Sequence, residues 1–509
     1  MAMRPRVAVR QWRWARRAVQ ALSLLAFTLL VLWTARDVPG PLGAEGLLRL
    51  DPLAGAAAML SLRRWLPAFI PALILLALTL ALGRFWCGWL CPLGTLVDWS
   101  APRDGRARTI PRRWHGLKYG LLLLTLVGAL FGSLTLLALD PLTIFVRTVT
   151  TWLAPGANWL VTQAQIGLYR VGPLEGLADA LDGALRPLVL SYKQAHYQGL
   201  LPIAGLFLGI LALNRLAPRA WCRILCPLGG LLSLAAKGSW LKRKVGDGCV
   251  SCGACARDCR MGTIDPARDY ASDSGECILC LDCAVACPRG AITFGPNWRY
   301  DADWEYDPIR RQALGMLGLG VAGAALAQVL PERAQPHPYR LRPPGAQEEA
   351  LLRACLRCGI CLRACPTHGL QPSLHEAGIM GLWTPILAPR LGHCEYSCNA
   401  CGAACPTGAI PPLALAEKQR AAIGKAYVAH DLCLAWTGRA PCIVCEEMCP
   451  LPEKAIVLET VAVHDAAQGA RTLQAPVVLH ERCIGCGLCE NRCPVQGEAA
   501  IRVRVDPLT

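Results

Sequence analysis

Residues 249–287 read CVSCGACARDCRMGTIDPARDYASDSGECILCLDCAVAC. The pattern C-x2-C-x2-C-x3-C stands in it twice, as Cys249, Cys252, Cys255, Cys259 and as Cys277, Cys280, Cys283, Cys287. Such a run suits a [4Fe-4S] cube, because three close thiolates hold three irons and the fourth cysteine reaches the neighbouring cube. The spacing therefore predicts two cubes with crossed ligands. Cys249, Cys252, Cys255 and Cys287 hold one, and Cys277, Cys280, Cys283 and Cys259 hold the other. Pro288 closes the second copy in the usual way, whereas Arg260 stands where proline is expected after the first.

The pattern recurs downstream. Cys355, Cys358, Cys361 and Cys365 keep the spacing and are followed by Pro366, and Cys394, Cys398, Cys401 and Cys405 open with three intervening residues instead of two. Cys433, Cys442, Cys445 and Cys449 open with an eight-residue gap, and Cys483, Cys486, Cys489 and Cys493 return to the regular form. Of the 28 cysteines, four remain after these six quartets, as two C-x3-C-P pairs: Cys87 and Cys91 in FWCGWLCPLG, Cys222 and Cys226 in AWCRILCPLG. A disulfide framework belongs to small secreted domains and has no reason to repeat a cluster spacing. Zinc sites of four cysteines use two separated knuckles. No C-x-x-C-H is present for covalent haem, nor a Gly-rich nucleotide fingerprint. About six [4Fe-4S] clusters are the expected cofactors, suited to one-electron transfer. Spacing leaves open whether the last four quartets exchange their final cysteines as neighbours or first with fourth and second with third. For the C-x3-C-P pairs, i, i+4 spacing puts both thiols on one helix face. A further metal centre, redox-active thiols and a structural role all fit.

The chain of 509 residues is 54% apolar with a net charge of +16. Residues 1–330 carry 35 Lys and Arg against 20 Asp and Glu, while residues 331–509 carry 17 against 16. The positive excess follows the apolar part, which argues for membrane topology rather than nucleic-acid binding. Apolar runs at 18–35, 66–83, 116–139 and 200–216 approach the length needed to cross a bilayer. Arginine and lysine crowd the N-terminus, the segment after the second run and the segment after the fourth. The positive-inside rule then puts both C-x3-C-P pairs and residues 246–300 in the cytoplasm.

At Arg310-Arg311 a second basic flank leads into a Gly/Ala-rich apolar run that ends near Ala325 and Ala327. It reads as a twin-arginine export signal or as a fifth span, and either carries residues 331–509 across the membrane. PYRLRPPGA at 338–346 looks like a linker. Segments 408–410, 455–458 and 500–505 fit short strands of ferredoxin-like folds. The expected architecture is a membrane α-helical domain of four spans plus a fifth, with α+β ferredoxin-like iron-sulfur domains. Residues 1–245 form the membrane domain, 246–300 a two-cluster domain, 301–346 the apolar segment and linker, and 347–509 a four-cluster domain. A membrane domain joined to such a wire suggests quinol as electron source, and its site needs proton-accepting groups in an apolar setting. Asp51 and Asp140, each followed by Pro-Leu, with Arg147 and His196, are the candidates.

At these residues the chain resembles two proteins joined end to end. With its DPL at Asp51, FWCGWLCPLGTLVDW, WCRILCPLG and two quartets, the region 1–300 is similar to NapH-type membrane quinol dehydrogenase subunits. With twin arginines, RLRPPGA, ACLRCGICLRACP, CLAWTGRAPCIVCEEMCPL and CIGCGLCENRC, the region 305–509 is similar to exported NapG- and MauM-type polyferredoxins. The resemblance implies a protein of the bacterial inner membrane that draws electrons from the quinol pool. It would deliver them to a periplasmic reductase such as nitrate reductase, often through a c-type cytochrome. An alternative is a redox factor for assembly or maturation of a periplasmic enzyme.

Overall fold

The computed structural model describes residues 5–34, 43–102, 110–186, 191, 193–297, 315, 318, 321, 337–465 and 469–505. The chain divides into two compact units. One comprises Met1–Val31, Gly40–Val149 and Leu201–Val329, the other Leu32–Pro39, Thr150–Leu200 and Leu330–Thr509.

Four helices of the first unit begin with the same local device. Asp51, Cys91, Asp140 and Cys226 each take an extended backbone, accept backbone N–H bonds on the side chain, and are followed by proline in the first turn. The cap satisfies N–H groups that have no partner within the helix, and proline has no N–H to waste there. The helices so started are Pro52–Leu62, Pro92–Trp99, Pro141–Thr148 and Pro227–Ala236. Pro227–Ala236 packs on Leu117–Leu130 and on Ile70–Leu82, and Pro52–Leu62 packs on Leu117–Leu130.

The apolar runs fold as helices, with different lengths from those expected. The N-terminal helix extends over Pro5–Trp33, and its stretch Gln11–Trp33 is long and apolar enough to cross a membrane. Pro67–Leu82, Trp114–Leu130 and Leu200–Arg215 fall in the range of 10–17 residues. At 1.5 Å per residue, 17 residues reach about 25 Å. The run expected over 116–139 breaks after Leu130 because Gly132 takes a left-handed φ of 80°, and a short 3-10 turn, Thr135–Leu139, follows. Beyond Arg147 the chain forms the helices Ala154–Tyr169 and Glu175–Leu185, which belong to the second unit.

Between Leu241 and Pro296 the chain forms the small module that opens the sequence argument. Strand Leu241–Val245 pairs antiparallel with Ile292–Pro296, from Leu241 opposite Pro296 to Val245 opposite Ile292. The short helices Ala254–Arg257 and Asp282–Ala286 pack together, and Cys255, Ile264, Cys283 and Ile292 make its core.

The second unit is built from short elements. Strand Leu370–Pro372 pairs with Pro385–Leu387, Lys425–Val428 with Ile501–Arg504, and Ile456–Asp465 with Gly469–Val478. The last two pairings contain the strands expected near 455–458 and 500–505, whereas 408–410 forms no strand. The expected linker is packed instead. Leu341 is buried and bridges to Leu387, and Arg342 pairs with Glu348 and donates to Thr384 and the Pro385 carbonyl. The twin arginines and the Ala325–Ala327 site lie outside the described residues.

Candidate iron-sulfur centres and a buried carboxylate pair

Around Cys249 the crossed arrangement appears as geometry. Cys249, Cys252, Cys255 and Cys287 line one cavity of ≈ 360 Å³, with Val245, Val250 and Ile292 in its wall. Cys283 lies within electrostatic reach of Cys277 and Cys280, and Cys259 within reach of all three. In the second unit a cavity of ≈ 410 Å³ gathers Cys355, Cys358, Cys361 and Cys405, and another of ≈ 350 Å³ gathers Cys433, Cys442, Cys445 and Cys493. Cys365 sits with Cys394, Cys398 and Cys401. Cys449 sits with Cys483 and Cys486. Neighbouring quartets therefore exchange their last cysteines, which spacing left open.

These cavities fit iron cubes for reasons visible in the chain. Their walls are apolar, and several sulfurs already receive backbone N–H groups. Thr263 donates to Cys259 at 3.4 Å, Ala291 to Cys287 at 3.3 Å, Ala426 to Cys483 at 3.4 Å and Ala455 to Cys449 at 3.4 Å. Such bonds stabilise sulfur that carries negative charge and tune a cluster's potential. Among the described residues no three His, Cys, Asp or Glu side chains converge closely enough to share one metal ion. The two pairs of quartets in the second unit also meet, because the Cys394 N–H donates to the Cys486 carbonyl at 2.8 Å.

The module at 241–296 is fastened to the helix ends of its own unit by buried ion pairs. Glu276, next to Cys277, accepts from Arg84 at 2.8 Å and from Lys118, both cations being fully buried. Burial raises the Glu276 carboxyl pKa, but Lys118 and Arg84 outweigh that and bring it to about 2. Asp282 pairs with Arg260 at 2.6 Å and Arg13 at 2.8 Å. Arg260, the departure from the expected proline, thus serves as an anchor. Asp98 is held by Arg219 at 2.6 Å and by Arg16. A side chain is also barred at Gly88, where a Cβ would stand 2.1 Å from the Ile278 carbonyl oxygen.

Both C-x3-C-P pairs come together. Cys87, Cys91, Cys222 and Cys226 line one cavity of ≈ 340 Å³ with Trp86, Leu93, Pro141, Trp221 and Leu228. The four thiols are unlinked. Two arginines reach across it in opposite senses. Arg219 donates to the carbonyls of Cys87 at 2.9 Å and Gly94 at 3.1 Å, while a Cβ on Gly229 would meet Arg84 Nη2 at 2.9 Å. Reading the sequence for cysteine alone missed these arginines. Their signal was present, since each pair is preceded by Arg-x-Trp-Cys, at Arg84 and at Arg219.

Of the proton-accepting candidates, Asp51 and Asp140 meet. Both are fully buried, and each carboxyl group lies within electrostatic reach of the other. Asp51 Oδ1 accepts from the Leu53 and Ala54 N–H groups, and Asp140 Oδ2 from those of Leu142 and Thr143. The remaining oxygens, Asp51 Oδ2 and Asp140 Oδ1, have no N–H or hydroxyl donor. Burial, and then the like charge of Asp51 beside it, raise the Asp140 carboxyl pKa above the ordinary carboxylate range. Arg147 is buried in the same unit and donates to the Ala138 carbonyl at 2.8 Å. His196 belongs to the second unit, where its carbonyl accepts from Gln371.

The chain matches the family described as "4Fe-4S binding domain" over residues 65–114 and 200–246, and a second family of that description over 476–496. The first match contains the C-x3-C-P cysteines and stops before Cys249. The methylamine utilization ferredoxin-type protein MauM of Methylorubrum extorquens is 38% identical over 209 residues, covering 38% of this chain and 89% of that protein. The ferredoxin-type protein NapG of Escherichia coli is 35% identical over 195 residues, covering 38% of this chain and 80% of its own. NapG of Haemophilus influenzae is 35% identical over 200 residues, or 67% of that protein. No solved structure matches the chain.

Proposed function

Because the chain belongs to the family of MauM and NapG ferredoxin-type proteins, we propose that it is a membrane-bound electron-transfer protein of the quinol dehydrogenase type. It passes electrons from the quinol pool to a periplasmic acceptor, such as a nitrate reductase system or a c-type cytochrome. Bound [4Fe-4S] clusters supply the one-electron chemistry that splits the two electrons of quinol. The 24 quartet cysteines are their ligands, crossed between neighbours in all three pairs of quartets.

A bilayer around the first unit is supported by its surface. Beside the spanning-length helix Gln11–Trp33, the helix Ile70–Leu82 buries Ala72, Leu75 and Thr79 but exposes Leu73 at 53% and Ile74 at 59%. Leu201 is 83% exposed. Aliphatic stripes of this kind suit lipid rather than water. In this reading Pro67–Leu82, Trp114–Leu130 and Leu200–Arg215 complete four spans, the run after Arg311 supplies a fifth or an export signal, residues 246–300 are cytoplasmic and residues 331–509 periplasmic.

The observation that carries quinol oxidation is the Asp51–Asp140 pair. Oxidising a quinol to a quinone releases two electrons and two protons, and two adjoining buried carboxyl groups with raised pKa values are suited to take up such protons. Arg147 lies seven residues beyond Asp140 on the helix that Asp140 caps. Asp140→Asn is expected to slow reduction of the purified protein by a soluble quinol at least tenfold while its iron content and reduction by dithionite stay unchanged. Unchanged quinol kinetics would remove the pair from the reaction.

The MauM relatives, named for methylamine utilization, favour a second reading as a redox factor for maturation of a periplasmic enzyme. A deletion strain separates the two. A partner enzyme left mature but starved of electrons supports electron delivery, and one left without its cofactor supports maturation.

A further inference from the structure

We propose that the face around Cys249 and Cys252 is an electron port on which a small, acidic one-electron carrier protein of the ferredoxin kind docks. The proposal rests on the quartets being cluster ligands and, for the side of the membrane it serves, on the cytoplasmic placement of residues 246–300. Of the 28 cysteines, Cys249 and Cys252 alone are exposed, and every other is buried or half-buried. Electron transfer between proteins falls off steeply with distance, so the quartet whose thiols reach the surface is the one a soluble partner can approach.

The loop that carries these two cysteines is held in place rather than covered. Ser251 and Gly253 take left-handed φ values of 52° and 72°, and a non-glycine residue persists there only where its surroundings fix it. The Tyr270 hydroxyl donates to the Ser251 carbonyl at 2.7 Å, and Arg257 donates to the Cys252 carbonyl at 3.1 Å. Both bonds run to the backbone of the loop and leave its side chains outward.

The rim decides what kind of partner fits. Val250, between the two cysteines, is 53% exposed and supplies a small apolar tip. Arg243 and Arg289 line the cavity and no carboxylate does, while Asp247 and Asp258, the nearest acids in sequence, stand outside the lining. An apolar tip beside fixed positive charge steers an acidic protein to the spot, and so small a contact lets it leave again. The other end of the module is closed: Arg84 bonds Glu276 at 2.8 Å, and Trp89 donates to the Leu279 carbonyl at 3.0 Å. The two quartets thus form a short series with one end fastened to helix ends and the other turned to solvent. In each encounter the carrier and the chain change by one electron in opposite senses, and no bond or proton is transferred.

A reduced plant-type [2Fe-2S] ferredoxin, mixed with the purified full-length protein in lipid nanodiscs, tests the port. Its oxidation should be fast and should slow as salt rises, and Arg257→Glu/Arg289→Glu should slow it at least tenfold at low salt. Calorimetric binding of oxidised ferredoxin should weaken by a similar factor, with iron content and reduction by dithionite unchanged. Arg289→Glu alone keeps the Arg257 bond to the loop and should lower rate and affinity about threefold, which guards against a loop defect. Rates and affinities indifferent to salt and to both substitutions would overturn the port, as would binding of anionic lipid vesicles with none of ferredoxin. The assay contains no quinol and is independent of the Asp51–Asp140 reading. Inverted membrane vesicles should oxidise added ferredoxin and right-side-out vesicles should not; the reverse would overturn the cytoplasmic placement rather than the docking face.

Discussion

The two-quartet module of the first unit and the four-quartet region of the second both repeat the cysteine quartet and differ in how several of their cations are answered. In the first, Arg84, Lys118, Arg16, Arg219, Arg13 and Arg260 all meet carboxylates: Glu276, Asp98 or Asp282. In the second, Arg342 meets Glu348, but Lys418 donates to the carbonyls of Glu395 and Tyr396, and Lys425 to those of His480 and Cys483. Arg390 donates to the carbonyls of Glu490, Cys493 and Val495. A carbonyl satisfies a donor without cancelling its charge. The first module is thus fastened through charge pairs, while the second keeps positive charge close to its cysteines, which favours the reduced state of a bound cluster.

The sharpest way to break this contrast is to leave the fastening cations unanswered. Glu276→Ala would strand Arg84 and Lys118 in the interior and should destabilise the first unit by about 3–5 kcal/mol. Glu348→Ala, which removes the partly exposed partner of Arg342, should remove about 1 kcal/mol from the second. Denaturation followed by near-ultraviolet circular dichroism would rank them, and equal losses would dissolve the distinction. Gly88→Ala tests the same contact through shape. Its Cβ would press on the Ile278 carbonyl, and a loss of about 1–3 kcal/mol is expected, with faster hydrogen exchange confined to 241–296.

Acid offers the mildest separation. His368 is buried against Tyr197, and burial, aided by Arg363, lowers its pKa to about 4. The unfolded chain binds that proton near the ordinary value of about 6.5. The second unit should therefore lose stability as pH falls from about 6.5 to about 4 and lose no more from this group below that. Glu276 loses its contribution in the same direction but in a lower window. Its contribution is complete above the ordinary carboxylate range and disappears only as pH falls toward about 2. Hydrogen exchange at pH 4.5 should show 193–198 loosened and 241–296 unaffected, and the reverse order would refute the assignment of these groups.

What the sequence disclosed was local, and what it withheld was the meeting of distant parts. Ligand spacing is a property of a few consecutive residues, so the quartets could be read directly. The exchange of Cys365 with Cys405, or Cys449 with Cys493, depends on how short helices pack and needed coordinates. The apolar run at 116–139 was read as one helix because hydropathy is blind to Gly132, whose backbone ends it. PYRLRPPGA has the composition of a linker, yet Arg342 finds Glu348 and Thr384 only after the strands near 372 and 385 have formed. Arg84 and Arg219 were overlooked for a different reason: a charged residue beside an apolar run is ordinarily credited to topology, although both stood in a repeated motif.

The opposed reach of those two arginines implies a rule of stoichiometry. Since each copy of the motif supplies two thiols and one guanidinium that closes over the other copy's turn, a chain bearing only one copy would own half a nest and would have to associate with its twin to complete it. Carrying both halves on one polypeptide makes assembly of that nest independent of protein concentration, and it leaves each half free to diverge toward a different neighbour, Arg84 toward Glu276 and Arg219 toward Asp98.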